Sequence, residues 1–348
     1  MITTLFQQLP KIYEPMLPAI FGKPIPVEQY ADCMNCHMCK PNDAVKDVRT
    51  FSEKTKCCTF KPIIPNYLVG AILNDSDNQT KLHDYIKTGT KLAPLGYYPT
   101  KTELRDYANI IPDKFGMDES VMCELLVDGN CSVWQYRNSI CSSYFCHYYK
   151  GIHGKAFWEA VRDFLQFIEE AISEHCALSL GIPASYLTNA TTNFFINVQD
   201  AQLDPTATNN STNHWAAWES NKADYFAKCY SIASELTEEK IAALNPNRYA
   251  IKLAELTTAF NQMTEPTLPS QLMLNPKCKI IPFDDQQSFF MISRLVKLPS
   301  IVAQIAPLFD GQSPTEKVQE TAKETLNVDL TNEYILHLYE QSILVAAN

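Results

Sequence analysis

A chain of 348 residues has room for two or three domains, each with its own buried core. Its composition, 46% hydrophobic and 20% charged, is that of a globular protein, and no apolar run reaches the ~18 residues a membrane-spanning helix needs. A net charge of -10 argues against a general nucleic-acid binder, which needs a basic face for phosphate.

Residues 1–32 carry Pro10, Pro15, Pro18, Pro24 and Pro26, which predicts a surface wrap without regular structure. This start lacks the charged n-region and long apolar core of a secretory signal, so the expected compartment is the cytoplasm. Six cations stand against three acids between Lys40 and Lys61, an excess that would stabilise nearby thiolates. The apolar stretch from Phe60 to Leu73 predicts a short helix after Pro65, and residues 89–116 read as irregular. Phe157, Val161, Phe164, Leu165, Ile168 and Ile172 recur at helical spacing, predicting an amphipathic helix over about 155–177. Residues 182–213 are rich in Asn, Thr and Ser and read as a linker. Helices resume over Trp215–Leu236, and Asn245-Pro246 opens another that runs to about Phe260.

The tail beyond about Asn275 reads as a unit of its own. Lys279–Phe283 predicts a strand and Phe289–Leu295 a short helix. Ser300 is expected to cap a helix that stops at Asp310-Gly311. Ser313-Pro314-Thr315-Glu316 has the form of a capping box opening a helix to about Leu326. A last helix over about Asn332–Gln341 leads into the strand-like Ile343–Val345. The predicted fold is mainly α: an irregular, metal-stabilised N-terminal region, a helical middle and a small α+β winged-helix module. The corresponding domains are 1–150, 151–268 and 269–348.

Nine of the twelve cysteines fall between Cys33 and Cys146. In a reducing compartment such a concentration points to metal or redox use and away from disulfides. The first cluster is Cys33, Cys36 and Cys39, then seventeen residues, then the doublet Cys57-Cys58. The second is Cys123, Cys131, Cys141 and Cys146. The two are predicted to meet and hold metal, because a closed zinc site and an iron-sulfur cluster each need four ligands drawn from separate segments. The triple Cys-x2-Cys-x2-Cys wraps a multi-iron cluster more naturally than one tetrahedral ion, which favours iron-sulfur over zinc. Cys58 is the expected non-ligand, since neighbouring side chains seldom point at the same ion. His37 and His147 are candidate ligands or proton donors, and Arg137 could pair with thiolate charge. Cys176, Cys229 and Cys278 read as small buried residues. Phosphate-binding glycine loops, the Gly-x-Ser-x-Gly elbow and His-Glu-x-x-His are absent from the sequence.

Over Cys33–Cys146 the chain resembles the YkgJ-like cysteine-cluster family, described as a zinc- or iron-chelating domain. The likeness is carried by the Cys-x2-Cys start, the Cys57-Cys58 doublet, Cys123 with its apolar pair, Gly129-Asn-Cys131, Arg137, Cys141 and Phe145-Cys146. The chain departs from the family pattern at Asn138, where proline is usual, and in the long spacing from Cys39 to the doublet. The tail resembles the PqqD-type winged helix through Leu308–Gly311, Thr315–Val318 and Leu336–Leu344. Together these imply a metal-cluster protein that modifies a protein or peptide captured by residues 269–348. The alternatives are a metal- or redox-responsive binding protein and a structural zinc scaffold without catalysis. Neither a membrane nor a nucleic-acid partner is expected.

Overall fold

The computed structural model describes residues 2–28, 36–39, 51–75, 81–88, 90–146, 148–187, 215–292 and 295–347. Helices dominate, accompanied by several small antiparallel sheets. At the N-terminus β1 (Ile2–Thr3) pairs with β2 (Ile25–Pro26), enclosing α1 (Leu5–Gln8) and two 3-10 turns, Lys11–Met16 and Ala19–Gly22. This stretch is not the surface wrap its prolines suggest. Leu5, Leu9, Tyr13, Met16, Leu17, Phe21 and Ile25 are all buried. The fixed φ of proline suits the 3-10 turns and extended joints that aim these apolar side chains inward.

A three-stranded sheet in the order β3 (Ile64–Pro65), β5 (Gly96–Tyr97), β4 (Leu92–Ala93) follows, with α2 (Asn66–Asn74) running directly out of β3. Helix α3 (Lys81–Thr88) lies between α2 and β4 in the chain, and α4 (Lys101–Lys114) follows β5. Helix α4 corrects the expectation of irregular chain over 89–116. It is started by a capping box in which Thr100 Oγ accepts from Glu103 N at 3.2 Å while Glu103 Oε2 accepts from Thr100 N at 2.8 Å. Next come the hairpin β6 (Leu126–Val127) and β7 (Asn130–Cys131), the short α5 (Ser139–Ser143) and the long α6 (Gly151–Ser179). Helix α6 buries Phe157, Val161, Phe164, Leu165, Ile168 and Ile172 as their spacing requires. Helices α7 (Lys222–Ser234), α8 (Glu238–Leu244) and α9 (Pro246–Thr264) pack around it, and Asn245 caps α9 by accepting from Arg248 N at 3.2 Å. One continuous set of buried side chains runs from Leu5 to Met263, so the cysteine region and the helical middle share a core.

A second buried cluster runs from Leu272 to Leu344. It is built from β8 (Gln271–Leu274) and a meander of β9 (Lys279–Pro282), β10 (Gln287–Met291) and β11 (Leu295–Pro299). Then come α10 (Val302–Ile305), β12 (Asp310–Pro314), α11 (Thr315–Leu326), α12 (Asn332–Glu340) and β13 (Leu344–Ala346). Strand β8 lies between β12 and β13. The helix expected over Phe289–Leu295 is instead the β10–β11 hairpin, with Met291 opposite Leu295 and Phe290 opposite Val296. Aromatic and β-branched pairing across the hairpin outweighs the helical reading of those apolar residues. Two expected caps also differ. Ser300 Oγ donates to Asp284 O, and Ser313 N and Oγ turn back to Asp310. Helix α11 instead follows Pro314 and leaves through Asn327 in the left-handed conformation. Among the described residues no helix is long and apolar enough to cross a membrane.

Gly70 fixes how α2 meets α7. A Cβ at this position would lie 2.0 Å from the backbone oxygen of Phe226, and neither helix can yield locally. Gly70→Ala should therefore destabilise the protein by about 3 kcal/mol, read as a lower urea midpoint at unchanged slope. A midpoint equal to wild type would show that the two helices are free to separate.

Candidate metal centre

The Cys57-Cys58 doublet sits in a run of turns clamped from both sides. Thr55 and Thr59, both fully buried, bracket Gly116. Thr55 Oγ donates to Gly116 O at 2.7 Å, and Gly116 N donates to Thr59 Oγ at 3.1 Å. Gly116 has φ +74, and a Cβ there would meet the Phe51 ring at 2.3 Å, so this position takes glycine. Lys56, itself at φ +49, donates through Nζ to Gly129 O at 2.9 Å, joining the doublet to the β6–β7 turn. Cys123 N donates to Cys58 O at 2.7 Å. A main-chain hydrogen bond thus ties the first cysteine cluster to the second.

The remaining cysteines of the second cluster are held as firmly. Asp128 and Gly129, both at positive φ, make the β6–β7 turn, and Ser132 N and Oγ both donate to Leu125 O just after Cys131. Asn138 caps α5: its Oδ1 accepts from Cys141 N at 3.0 Å and its Nδ2 donates to Ile63 O at 2.9 Å. Asparagine supplies a side-chain acceptor here, which proline could not. Glu169 of α6 accepts from Ser139 N at 2.5 Å and Ser139 Oγ at 2.7 Å. Phe145 packs on Trp158 with ring centroids 4.6 Å apart, which fixes the chain beside Cys146.

The result is one cavity of about 480 Å3 lined by Cys36, Cys57, Cys58, Cys123, Cys131, Cys141 and Cys146. Both clusters contribute to it. Cys39 does not line the cavity; its thiol donates to Ser52 O at 3.6 Å. Cys33 and His147 lie outside the described residues, as does the side chain of His37. Cys58, the expected non-ligand, lines the same cavity as Cys57. No family model, curated protein or solved structure matches the chain. The likeness to YkgJ-like and PqqD-type proteins accordingly rests on the quoted residues alone.

Charge within the cavity is unevenly shared. The Cys57 thiol is held well below the usual thiol range, first by a hydrogen bond from Cys146 and then by one from Cys58, with Lys56 assisting. Cys58 is pushed up by the same bond to Cys57. Burial pushes Cys123 up to about 11 and also raises Cys131 and Cys141, the last two opposed by Arg137. The Arg137 guanidinium lies 3.5 Å over the Trp134 ring. Among the described residues no group of three or more His, Cys, Asp or Glu side chains is arranged to hold a metal ion as placed. The donors are soft sulfur throughout, which suits zinc or iron-sulfur.

Several of the supporting residues are not picked out by cysteine spacing. Glu124 follows Cys123 and is held by Lys91 Nζ at 2.9 Å and by the hydroxyls of Tyr85 and Tyr97. Its only sequence signal is adjacency to a cysteine. Glu169 is a carboxylate beside the apolar stripe of α6, a signal visible in the sequence. Burial raises its pKa from 4.5 to about 7, although Tyr13 and Ser139 donate to it. The folded carboxyl thus keeps a proton that the unfolded chain releases near 4.5. Stability should fall by about 3 kcal/mol as pH rises from about 4.5 to about 7. Glu169→Gln keeps acceptor and donor positions and should flatten that decline in urea titrations between pH 5 and pH 8. A wild-type slope retained in the variant would place the titrating group elsewhere.

Proposed function

We propose that the protein is a metal-cluster protein whose centre occupies the cysteine cavity, with iron-sulfur favoured over zinc. The observation that carries this reading is that seven thiols from two separate stretches line one cavity. A mononuclear zinc site needs four sulfurs at about 2.3 Å from the ion, fewer donors than this wall provides. The threonine clamp, the Asn138 cap and the Glu169 anchor resemble the outer hydrogen bonds that orient ligands in metal sites. An iron-sulfur centre there would supply electron transfer or cluster-bound chemistry, while the protein contributes burial, the Lys56 and Arg137 charges and shape.

The C-terminal unit is read as a winged-helix-like module that captures a protein or peptide, which the metal-bearing part then modifies. Its order of helix, strand, two helices and strand over 302–346 supports that reading. The test is metal and acid-labile sulfide analysis of anaerobically purified protein, with its visible spectrum. Iron, sulfide and broad visible absorbance are expected. Colourless protein carrying zinc would favour the structural scaffold, and protein with neither metal would overturn the proposal.

A further inference from the structure

Tyr13 has one hydroxyl proton and two acceptors. Its oxygen lies 2.5 Å from Glu169 Oε1 and 3.1 Å from the carbonyl oxygen of Arg137. One proton cannot serve both at full strength. While Glu169 is ionised, distance and charge give the proton to the carboxylate. Once Glu169 is protonated on Oε1, it donates to the Tyr13 oxygen, and the tyrosine proton turns to Arg137. Ser139 still donates to the carboxyl group in either state. The Arg137 carbonyl also accepts from Ser142 Oγ at 3.2 Å, so the second state adds the Tyr13 hydroxyl to a donor already there.

What this moves is a cavity wall. Arg137 lines the cavity, its Nε donates to Trp134 O at 3.0 Å, and its charge acts on Cys131 and Cys141. We propose that Tyr13 and Glu169 form a proton relay that positions Arg137 at the cysteine cavity, with Glu169 as the positioning residue. Its consequence for a bound metal rests on the function proposed above, but the relay itself does not.

The groups facing Glu169 are consistent with a single titration. Tyr13 comes from the N-terminal turn, Tyr67 from α2 and Ser139 from α5. Glu170, its neighbour on α6, is paired with Arg248 of α9. Burial keeps Glu169 protonated up to about pH 7, so both states are reached near neutrality.

Trp134 reports on Arg137, because it stacks under the guanidinium while 47% exposed. Tryptophan emission of the full chain is followed from pH 5.5 to 8.5. One step is expected with its midpoint near 7. The step should vanish in Glu169→Gln and in Tyr13→Phe, both with wild-type circular dichroism, and in Trp134→Phe. Should Glu169→Gln fail to fold, Tyr13→Phe alone decides. A featureless wild-type titration, or a step that survives Tyr13→Phe, would overturn the relay. Metal is assayed on the same samples. Metal-free wild-type protein that still shows the step would count against the metal centre and leave the relay standing.

Discussion

Chelation of the reduced protein is expected to lower its melting temperature by about 10 °C or more and to remove helical signal from the cysteine region. Metal binding contributes about 10–16 kcal/mol in zinc-finger peptides, against about 5–15 kcal/mol for the net stability of a whole domain. Hydrogen bonds hold the frame around the cavity, yet its wall confines seven thiols, several of them pushed towards the neutral form by burial. Metal binding would release those protons and tie the turn at 53–59 to Cys123, Cys131 and α5. Cys57→Ser should reproduce the effect without chelator, because Cys57 bonds to sulfurs of both clusters. The C-terminal unit, with its own buried cluster, should keep its structure. Identical melts for the metal-loaded, chelated and Cys57→Ser proteins would mean that hydrogen bonds and apolar packing suffice.

The second large effect is expected at Lys91. Its ammonium group bridges Glu103 at 2.8 Å and Glu124 at 2.9 Å, and Lys61 reaches Glu103 at 2.8 Å. These side chains are only 12–21% exposed, so removing one charge strands its partners in a poorly solvated place. Lys91→Met should cost about 3–5 kcal/mol. Lys91→Met combined with Glu124→Gln should recover part of that loss, because the stranded carboxylate is gone. The network also has an acid signature. Burial pushes Glu103 up, but Lys61, Lys91 and Thr100 together hold it at about 2. Its contribution is complete above the ordinary value of 4.5 and is lost as pH falls towards 2. With the proposed metal centre in place, the single variant should also retain metal less well, because Glu124 follows Cys123. Stability within ~0.5 kcal/mol of wild type would show the network to be solvated and unimportant.

Much of the architecture is legible in the residues themselves. The α6 stripe, the Asn245-Pro246 start and the closing run of helix, helix and strand follow from periodicity and caps. The meeting of the two cysteine clusters at one cavity agrees with the expectation read from their spacing. Other features could not be read in that way. Pro10, Pro15 and Pro18 suggest exposed chain, but 3-10 turns place Tyr13, Met16 and Phe21 in the core. Phe289 to Leu295 has helical composition, and pairing with residues further along the chain makes it a hairpin. Cys58 lines the cavity beside Cys57, where the left-handed turn at Lys56 precedes the doublet, while Cys39 stands outside it; cysteine spacing alone does not show which thiols reach the wall. Such turns depend on Gly116, Thr55 and Thr59, whose importance lies in contacts between segments far apart in sequence.

The central claim, that sulfurs from both clusters serve one centre, is tested most directly by metal stoichiometry in Cys57→Ser, Cys141→Ser and the double variant. With a shared centre, either substitution alone empties it and the double variant loses no more. Losses that add, or full metal content in both single variants, would contradict a common site.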